Sequence, residues 1–318
     1  MTSLRTSSRQ SGPTSPASRW RSSRAASSTT PSSSPSNNQA LVTGTRPFAV
    51  VTDSTADLPD EWRTRYGIEV VPLKVIFGNE TFRDRVDITD EQFFRRLSTA
   101  TKLPTTSAPS PGEFADVYRR LARDHDGCIS IHLGAQLSAT VQAAQIGAQA
   151  VDGFRVQVID SETVTMPIAF LCKVAAESES LEAARAAVEE RVPKCRVLAL
   201  LDTLRYLEMG GRLSRAQAMI GTMLDVKPLL LVADREIKPV ERVRTRSRAI
   251  TRMVEFLRGE LPVEHVAVMH AQAPDEAETI AAGLRQDLPG QEIVIGEIGC
   301  VLGTHTGPKA LGAVYIKK

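Results

Sequence analysis

Short apolar runs alternate with longer amphipathic stretches from residue 47 onward. The runs FAVVTD, GCISIH and RVQVID end in polar or turn-forming residues, which is typical of buried strands. Between them, stretches such as PGEFADVYRRLARD and SATVQAAQIGAQAV carry apolar residues at helical spacing. EVVPLKVIFG predicts one further extended segment. Strands separated by helical crossovers predict an α/β fold with mainly parallel pairing in this half.

The second half alternates in a similar way but contains a predicted pair of adjacent strands, KPLLLVADREIKPVERV. EHVAVMHAQ and EIVIGEIGCVLGTHTG predict further strands, whereas SRAITRMVEFLRGEL and EAETIAAGLRQDL predict helices. We therefore predict the fold class α/β with two α/β domains. They comprise residues 47–192 and 193–318, with a boundary near Val192–Pro193.

The first 46 residues show no such pattern. They are rich in Ser, Thr and Pro and contain six Arg and no Asp or Glu. Such a segment buries too little apolar surface to offset its ordering entropy, so we predict a disordered tail over residues 1–46. Transit peptides share this composition, but the tail has no clear amphipathic pattern. A true start codon near Leu41 or Val42 is another interpretation.

Composition and charge argue against a nucleic-acid-binding protein and against a membrane-spanning protein. Of the 318 residues, 42% are hydrophobic and 24% are charged, as in ordinary globular proteins. Without the six arginines of the tail, 33 basic residues face 37 acidic ones, a net charge of about −4. The pI of 8.4 therefore does not indicate a nucleic-acid partner. No run of ~18 apolar residues occurs, so we predict no stable membrane insertion.

The common signatures of catalytic and metal sites are missing. The chain has no GxxxxGK(S/T), GxGxxG, GxSxG, HExxH or CxxC. His265 and His270 lie five positions apart in a predicted strand, so they point to opposite faces. Asp84 and Asp87 could bind a cation, but the arginines beside them favour a solvated turn. We therefore predict no catalytic residue and no metal site.

The cysteines are isolated from one another in the sequence. Most lie in or beside apolar patterns, where a small buried residue is expected. Without a secretory signal we expect no disulfide framework and a reducing compartment, the cytoplasm. The four residues are Cys128, Cys172, Cys195 and Cys300.

The hydroxyl-rich segment TTSAPSPGEF leads into a predicted helix. Ser110, Pro111 and Glu113 have the spacing of an N-cap, a first helical residue and a capping-box partner. Thr106 and Ser107 then lie just ahead of a helix N-terminus in a proline-rich loop. Judged locally, the loop is either a rigid connector or part of an anion site.

Two further segments carry candidate ligand groups. In LGAQLSATVQAA a predicted strand ends at a glycine, and Ser138 is a candidate N-cap of the next helix. Ser138 and the threonine loop both follow the carboxyl ends of strands, where ligands bind in open α/β sheets. Two donor-rich loops would suit a carboxylate or a phosphate. His305 is predicted in a Gly-rich loop between strands, in either a structural or a ligand-binding role.

Taken together, these segments resemble the DegV family of bacterial lipid-binding proteins. The resemblance covers about residues 48–317 and implies a two-domain α/β protein. It also implies a pocket, between or beside the domains, for one long-chain fatty acid, with no other cofactor. The matching strings are VTDSTADLP, VVPLKVIFGNETFRD, TTSAPSPGEF, LGAQLSATVQAA, VIDS, LDTLRYLEMGGRLS, KPLL, VRTRSRA and GTHTGPKALG.

The resemblance also implies a partner protein. In bacteria with a fatty acid kinase, such proteins present the bound acid to a separate catalytic subunit, which makes the acyl phosphate from ATP. The lipid-binding chain is then a carrier subunit in phospholipid metabolism and not an enzyme. The missing nucleotide-binding loop fits this division.

Position by position, the resemblance places the fatty-acid carboxylate against Thr106, Ser138 and His305, with Ser107 assisting. Two other interpretations stay open. The chain could carry another amphiphilic lipid, or it could be an acyl hydrolase or transferase with Ser138 as nucleophile and His305 as base.

The resemblance assigns two arginines as well. Arg244, rather than Arg246, would support the histidine, and Arg212 would contact the kinase. The chain departs from the usual family pattern at two glycine positions, which hold Ala139 and Lys309 here. Lys309 could add a cation near the headgroup.

Overall fold

The structure is a computed structural model that describes residues 46–212 and 226–318, so nearly all of the predicted disordered tail lies outside the described residues. The strands are β1 (Phe48–Asp53), β2 (Ile68–Val71), β3 (Lys74–Phe77), β4 (Glu80–Arg83), β5 (Thr105–Ser107), β6 (Gly127–His132), β7 (Arg155–Asp160), β8 (Cys195–Leu200), β9 (Lys227–Ala233), β10 (Glu236–Val243), β11 (Val263–His270), β12 (Ile293–Glu297) and β13 (Leu311–Lys317). The helices are α1 (Asp60–Tyr66), α2 (Asp90–Thr99), α3 (Pro111–Leu121), α4 (Thr140–Gln149), α5 (Met166–Ala176), α6 (Leu181–Arg191), α7 (Arg205–Met209), α8 (Arg246–Gly259), α9 (Pro274–Asp287) and α10 (Cys300–Thr306), with short 3₁₀ turns at Ser54–Ala56 and Val192–Lys194.

Four strands of the first half form a parallel sheet in the order β2-β1-β6-β7. Every residue of β1 is buried, because helices cover both faces of this sheet. Val51 belongs to a cluster with residues of α3 and α4, whereas Val50 belongs to the larger cluster that contains α5. The predicted α/β class and its parallel pairing are confirmed.

The segment EVVPLKVIFG is divided between two sheets, so the prediction of one extended segment is wrong. β2 pairs with β1, but β3 pairs antiparallel with β4 and β5 in a separate three-stranded sheet. The change occurs at Pro72, which has no N–H to donate to a strand ladder. The next residue, Leu73, donates its N–H to the Ser54 hydroxyl at 3.1 Å. Pairing with β3 also makes a short strand of Thr105–Ser107, which was predicted as a loop.

The second half forms a six-stranded sheet in the order β10-β9-β8-β13-β11-β12. Neighbouring strands are antiparallel except for β11 and β12, and the predicted pair of adjacent strands, β9 and β10, is confirmed. Because strand side chains alternate, one face of the sheet packs on α8 and α9 and the other faces the first half of the chain. The predicted domain boundary falls between the sheets, and the assignment of two domains stays a prediction.

Helix α5 lies between the two larger sheets. It contacts β1 and β6 of the parallel sheet and β8, β11 and β13 of the six-stranded sheet. Its sequence MPIAFLCKVAA is apolar almost all around the helix, as expected of a helix with neighbours on every side. The largest apolar cluster therefore contains residues from both halves of the chain.

The segment from Cys300 to Thr306 is a helix, so the predictions of a strand here and of a Gly-rich loop around His305 are both wrong. Gly303 explains part of the difference. A Cβ on Gly303 would lie 2.7 Å from the ring of Phe94, so only glycine lets α10 pack this closely on α2. The sequence pattern does not predict this helix, because glycine and β-branched residues have low helix propensity.

The four cysteines are free and buried, as predicted. Within residues 46–212 and 226–318, no helix has the length and apolar character needed to cross a membrane.

Candidate functional site

A largely apolar cavity lies between one face of the six-stranded sheet and the segments that follow β6 and β7. It encloses about 1040 Å³ free of protein atoms, its opening to solvent included. Val197 and Ala199 of β8 and Leu230 and Val232 of β9 line it, whereas the intervening Leu198 packs against the helices behind the sheet. A cavity with this lining suits an apolar ligand.

Polar side chains meet at this cavity from four separate segments. Thr106 Oγ1 lies 3.0 Å from Nε2 of His305. Arg212 lies beside them, with Nε 3.5 Å from the carbonyl oxygen of Leu137, the residue before Ser138. Of the sequence-predicted site residues, those that line the cavity are Thr106, Ser107, Ser138, Arg212 and His305.

The position of Thr106 is set by secondary structure on both sides. It lies opposite Val75 in the β3–β5 pair. Downstream, the predicted capping box of α3 is confirmed, with the Ser110 N–H donating to Glu113 at 2.8 Å and the Glu113 N–H donating back to Ser110 Oγ at 3.3 Å. Ser110 therefore has a structural role, and it holds the hydroxyls just upstream in place.

The prediction that Ser138 caps α4 is wrong. Ala139 occupies the N-cap position and makes no side-chain hydrogen bond, while Ser138 Oγ lies 2.8 Å from the hydroxyl of Thr140. The Ser138 side chain is half-buried at the cavity wall, at the carboxyl-end side of β6. Ser138 therefore lines the cavity, and its hydroxyl bonds a neighbouring side chain and not the helix backbone.

His305 stands near the end of α10, close to the segment that follows α7. A Cβ on Gly210 would lie only 2.3 Å from Nδ1 of His305, so a side chain at this position would displace the imidazole. Nδ1 itself is buried and has no hydrogen-bond partner in the described part of the chain. Burial, with the Arg212 guanidinium as a second cause, lowers the pKa of His305 from 6.5 to about 4. The imidazole is therefore neutral at physiological pH.

We expect the His305→Gln variant to lose less stability on acidification than the wild-type protein. Between pH 6.5 and about 4 the unfolded chain binds more protons at this residue than the folded one, so the free energy of unfolding falls as the pH is lowered. The loss that this group causes over the range is about 2 to 3 kcal/mol. Urea unfolding near pH 7 and near pH 4.5 measures it in both proteins.

The comparison contains its own control. Above pH 6.5 the contribution of His305 is constant, so the difference between the two proteins should not change from about pH 7 to pH 8. Parallel stability curves down to about pH 4.5 would contradict the lowered pKa.

Arg244 and Lys309 are exposed and are not part of the cavity wall as described. Arg246 pairs with Glu276, with N–O distances of 2.6 and 2.7 Å, and donates to the carbonyl oxygen of Lys309. The arginine beside His305 is instead Arg212. Lys309 has a φ of +61°, a backbone conformation that glycine adopts most easily. This accounts for the glycine that is usual at the matching position of the family pattern.

A buried hydrogen-bond relay lies outside the cavity and was missed by sequence analysis. Asp53 Oδ2 lies 3.0 Å from Nδ1 of His132, His132 Nε2 lies 2.7 Å from Ser130 Oγ, and Ser130 Oγ lies 2.8 Å from the Tyr118 hydroxyl. The order resembles a catalytic triad, but Asp53, Ser130 and His132 are all 0% exposed. The relay joins β1 and β6 to α3, so its role is to hold the element that follows Thr106 and Ser107.

The DegV family model matches residues 47–318. The chain belongs to the DegV family. The DegV protein of Bacillus subtilis is 38% identical over 280 residues, which cover 85% of this chain and 99% of that protein. A DegV domain-containing protein of Streptomyces coelicolor is 40% identical over 278 residues, 85% of this chain and 98% of the relative. The family predicted from the sequence motifs is confirmed.

Solved DegV structures share the fold of this chain. B. subtilis DegV, a fatty acid binding protein, matches with a TM-score of 0.79 at 37% identity, covering 86% of this chain and 100% of that one. A fatty-acid-binding DegV family protein from Thermus thermophilus matches with a TM-score of 0.79 at 32% identity and the same coverage. A stearic-acid-binding protein from Eubacterium ventriosum gives 0.78 at 26% identity, covering 85% of this chain and 98% of that one.

Proposed function

We propose that this DegV protein binds one long-chain fatty acid in the apolar cavity, with its carboxylate at Thr106, Ser138 and His305 and with Ser107 assisting. The observation that carries the proposal is an apolar cavity with polar side chains gathered around the Thr106–His305 contact. Such a lining suits a ligand with a long apolar tail and one polar end. The fatty-acid-binding relatives from B. subtilis and T. thermophilus support this ligand class.

The two parts of the ligand contribute unequally to affinity. Burial of an acyl tail contributes about 0.8 kcal/mol per CH₂, or roughly 11 kcal/mol for ~14 methylenes before ordering costs are subtracted. A hydrogen bond to a charged group contributes about 1.5 to 3 kcal/mol. The tail therefore dominates affinity, and the polar groups determine where the carboxylate lies.

The proton of His305 is best assigned to Nε2. The imidazole then donates to Thr106 Oγ1 across 3.0 Å, and the Thr106 hydroxyl can donate to a carboxylate. The buried Nδ1 beside Gly210 is left with a lone pair and not with an unpaired N–H. In this arrangement the neutral imidazole directs the Thr106 hydroxyl towards the ligand.

The bound acid is presented to a separate fatty acid kinase, which makes the acyl phosphate. Arg212 supports this part of the proposal because its side chain is exposed and also lines the cavity next to His305. Met209, three residues earlier, is 62% exposed and offers an apolar contact on the same segment. The carrier would act in the cytoplasm with the fatty acid as ligand and with no further cofactor.

Ser138→Ala should weaken acyl-phosphate formation more than it weakens lipid binding. We expect the affinity for a fatty acid to fall by less than about tenfold, because the tail supplies most of the binding energy. The rate at saturating carrier should fall by about 10- to 100-fold, because the carboxylate loses one positioning hydrogen bond. A fluorescent fatty-acid titration and a coupled assay with a purified bacterial fatty acid kinase measure the two quantities.

Ser98→Ala, an exposed serine on α2, is the matched control and should change neither quantity. Equal loss of binding and turnover in Ser138→Ala would contradict the division between tail and headgroup. Labelling of Ser138 by an activated serine probe would favour the hydrolase alternative. The structure does not favour that alternative, because the Ser138 hydroxyl bonds Thr140 and the His305 imidazole bonds Thr106.

A further inference from the structure

A second cavity has carboxylates in its wall. Asp57, Asp84 and Asp90 line it together with Arg85, and none of the residues described in its wall belongs to the apolar cavity. The three carboxylates come from the turn after β1, the residue after β4 and the first turn of α2. A concave site with several carboxylates has a negative potential that attracts cations.

The environment of the Asp84 carboxylate favours a bound cation. Its side chain lines the cavity and is only 2% exposed, and neither carboxylate oxygen has a hydrogen-bond partner within the described residues. The predicted solvated turn is therefore wrong for Asp84. The prediction of a solvated turn is correct for Asp87, whose exposed carboxylate pairs with Arg83 at 2.9 Å. A buried carboxylate without a partner is costly and calls for a proton or a cation.

Arg85, one of the two arginines that line this cavity, is already engaged by the other two carboxylates. Arg85 lies 3.0 Å from Asp90 and 3.5 Å from Asp57. Asp57 also accepts hydrogen bonds from the Gly299 N–H at 2.9 Å and from the Thr165 hydroxyl at 2.6 Å. The ion pairs of Arg85 thus go to Asp57 and Asp90, and Asp84 is left out of them.

A thiol completes the arrangement. Cys300, the first residue of α10, has its Sγ 3.3 Å from Asp90 Oδ1. One side-chain atom each of Asp84, Asp90 and Cys300 lies within 4.8 Å of the others, close enough to share one ion. The positions 84, 90 and 300 are too far apart in sequence to form a recognisable metal motif.

We propose that Asp84, Asp90 and Cys300 form a binding site for a divalent metal ion of intermediate softness, with Zn²⁺ as the best-fitting probe. Zn²⁺ accepts both carboxylate oxygen and cysteine sulfur, whereas Mg²⁺ and Ca²⁺ prefer oxygen ligands alone. On binding, the Cys300 S–H bond breaks, a sulfur–metal bond forms, and the proton passes to the buffer without a redox change. The site is independent of the fatty-acid proposal.

Calorimetric titration of the metal-free, reduced full chain with ZnCl₂ tests the site. We expect one Zn²⁺ per chain with a Kd below about 100 µM, release of a proton, and a higher unfolding temperature in the presence of Zn²⁺. Asp84→Asn and Cys300→Ser should each weaken Zn²⁺ binding by at least about tenfold. Cys300→Ser should weaken Mn²⁺ binding less than Zn²⁺ binding.

Asp87→Asn is the matched control, because it changes a carboxylate of the same loop that does not line the cavity. It should leave Zn²⁺ binding unchanged. A wild-type Kd above about 100 µM, or wild-type affinity in both Asp84→Asn and Cys300→Ser, would overturn the site. Mg²⁺ binding tighter than Zn²⁺ would overturn the metal class. If Asp84→Asn does not unfold cooperatively, Cys300→Ser decides alone.

Discussion

Replacing Asp53 by alanine should lower the free energy of unfolding by about 4 kcal/mol, the cost of removing one partner from a buried polar pair. Its carboxylate accepts hydrogen bonds from the backbone N–H groups of Thr55 and Leu133 and bonds Nδ1 of His132. Alanine leaves these groups buried without partners, and each unsatisfied donor costs about 1 to 3 kcal/mol. Chemical denaturation followed by circular dichroism measures the loss.

Asp152→Ala, an exposed aspartate in the turn after α4, serves as the control and should change stability by less than about 0.5 kcal/mol. Asp53→Asn should lie between the two, since an amide oxygen can still accept from the backbone. Stability of Asp53→Ala within about 1 kcal/mol of the wild-type value would show that the relay does not hold β1, β6 and α3 together.

Ala199→Trp should abolish fatty-acid binding while the protein stays folded. The side chain at 199 lines the cavity from the centre of the six-stranded sheet, so an indole there would occupy the space proposed for the acyl tail. Loss of contact for about half of the methylenes corresponds to roughly 5 kcal/mol, so binding should weaken by more than about 100-fold. Native mass spectrometry of the purified protein measures the fraction that carries a fatty acid.

The paired control is Ala186→Trp, which adds the same side chain on the exposed face of α6. It should retain the wild-type fraction of bound lipid. Undiminished lipid in a folded Ala199→Trp protein would place the ligand elsewhere. A co-purified lipid that is consistently not a fatty acid would favour a carrier of another amphiphile.

The features that the sequence predicts well are those whose determinants are close together in the chain. The capping box at Ser110 and Glu113 spans four residues and is confirmed. The short, mainly apolar runs of β1 and β6 predict the buried strands that the structure contains. Thr106 and Ser138 were expected near one site at the carboxyl ends of parallel strands, and both line the cavity, but Thr106 belongs to β5 of the antiparallel sheet. Their roles towards a ligand stay predictions.

Features that depend on distant partners could not be predicted in this way. Helix α10 contains Gly303, which disfavours a helix locally and is explained only by the Phe94 ring that packs against it. The polar residues Ser130 and His132 stand in a strand of apolar character, and only the fold shows that they bond each other and Asp53. The family resemblance suggested Arg244 near the histidine, whereas the three-dimensional arrangement brings Arg212 there.

Helix α5 has a consequence for how such proteins can recombine. It precedes the predicted boundary in sequence, yet it packs against β8, β11 and β13 of the following half. A gene crossover at residue 193 between distant relatives would join one parent's helix to the other parent's sheet across a fully buried interface. A crossover upstream of Met166 would instead separate α5 from β1 and β6, so no single crossover between the two sheets keeps all contacts of this helix within one parent's sequence.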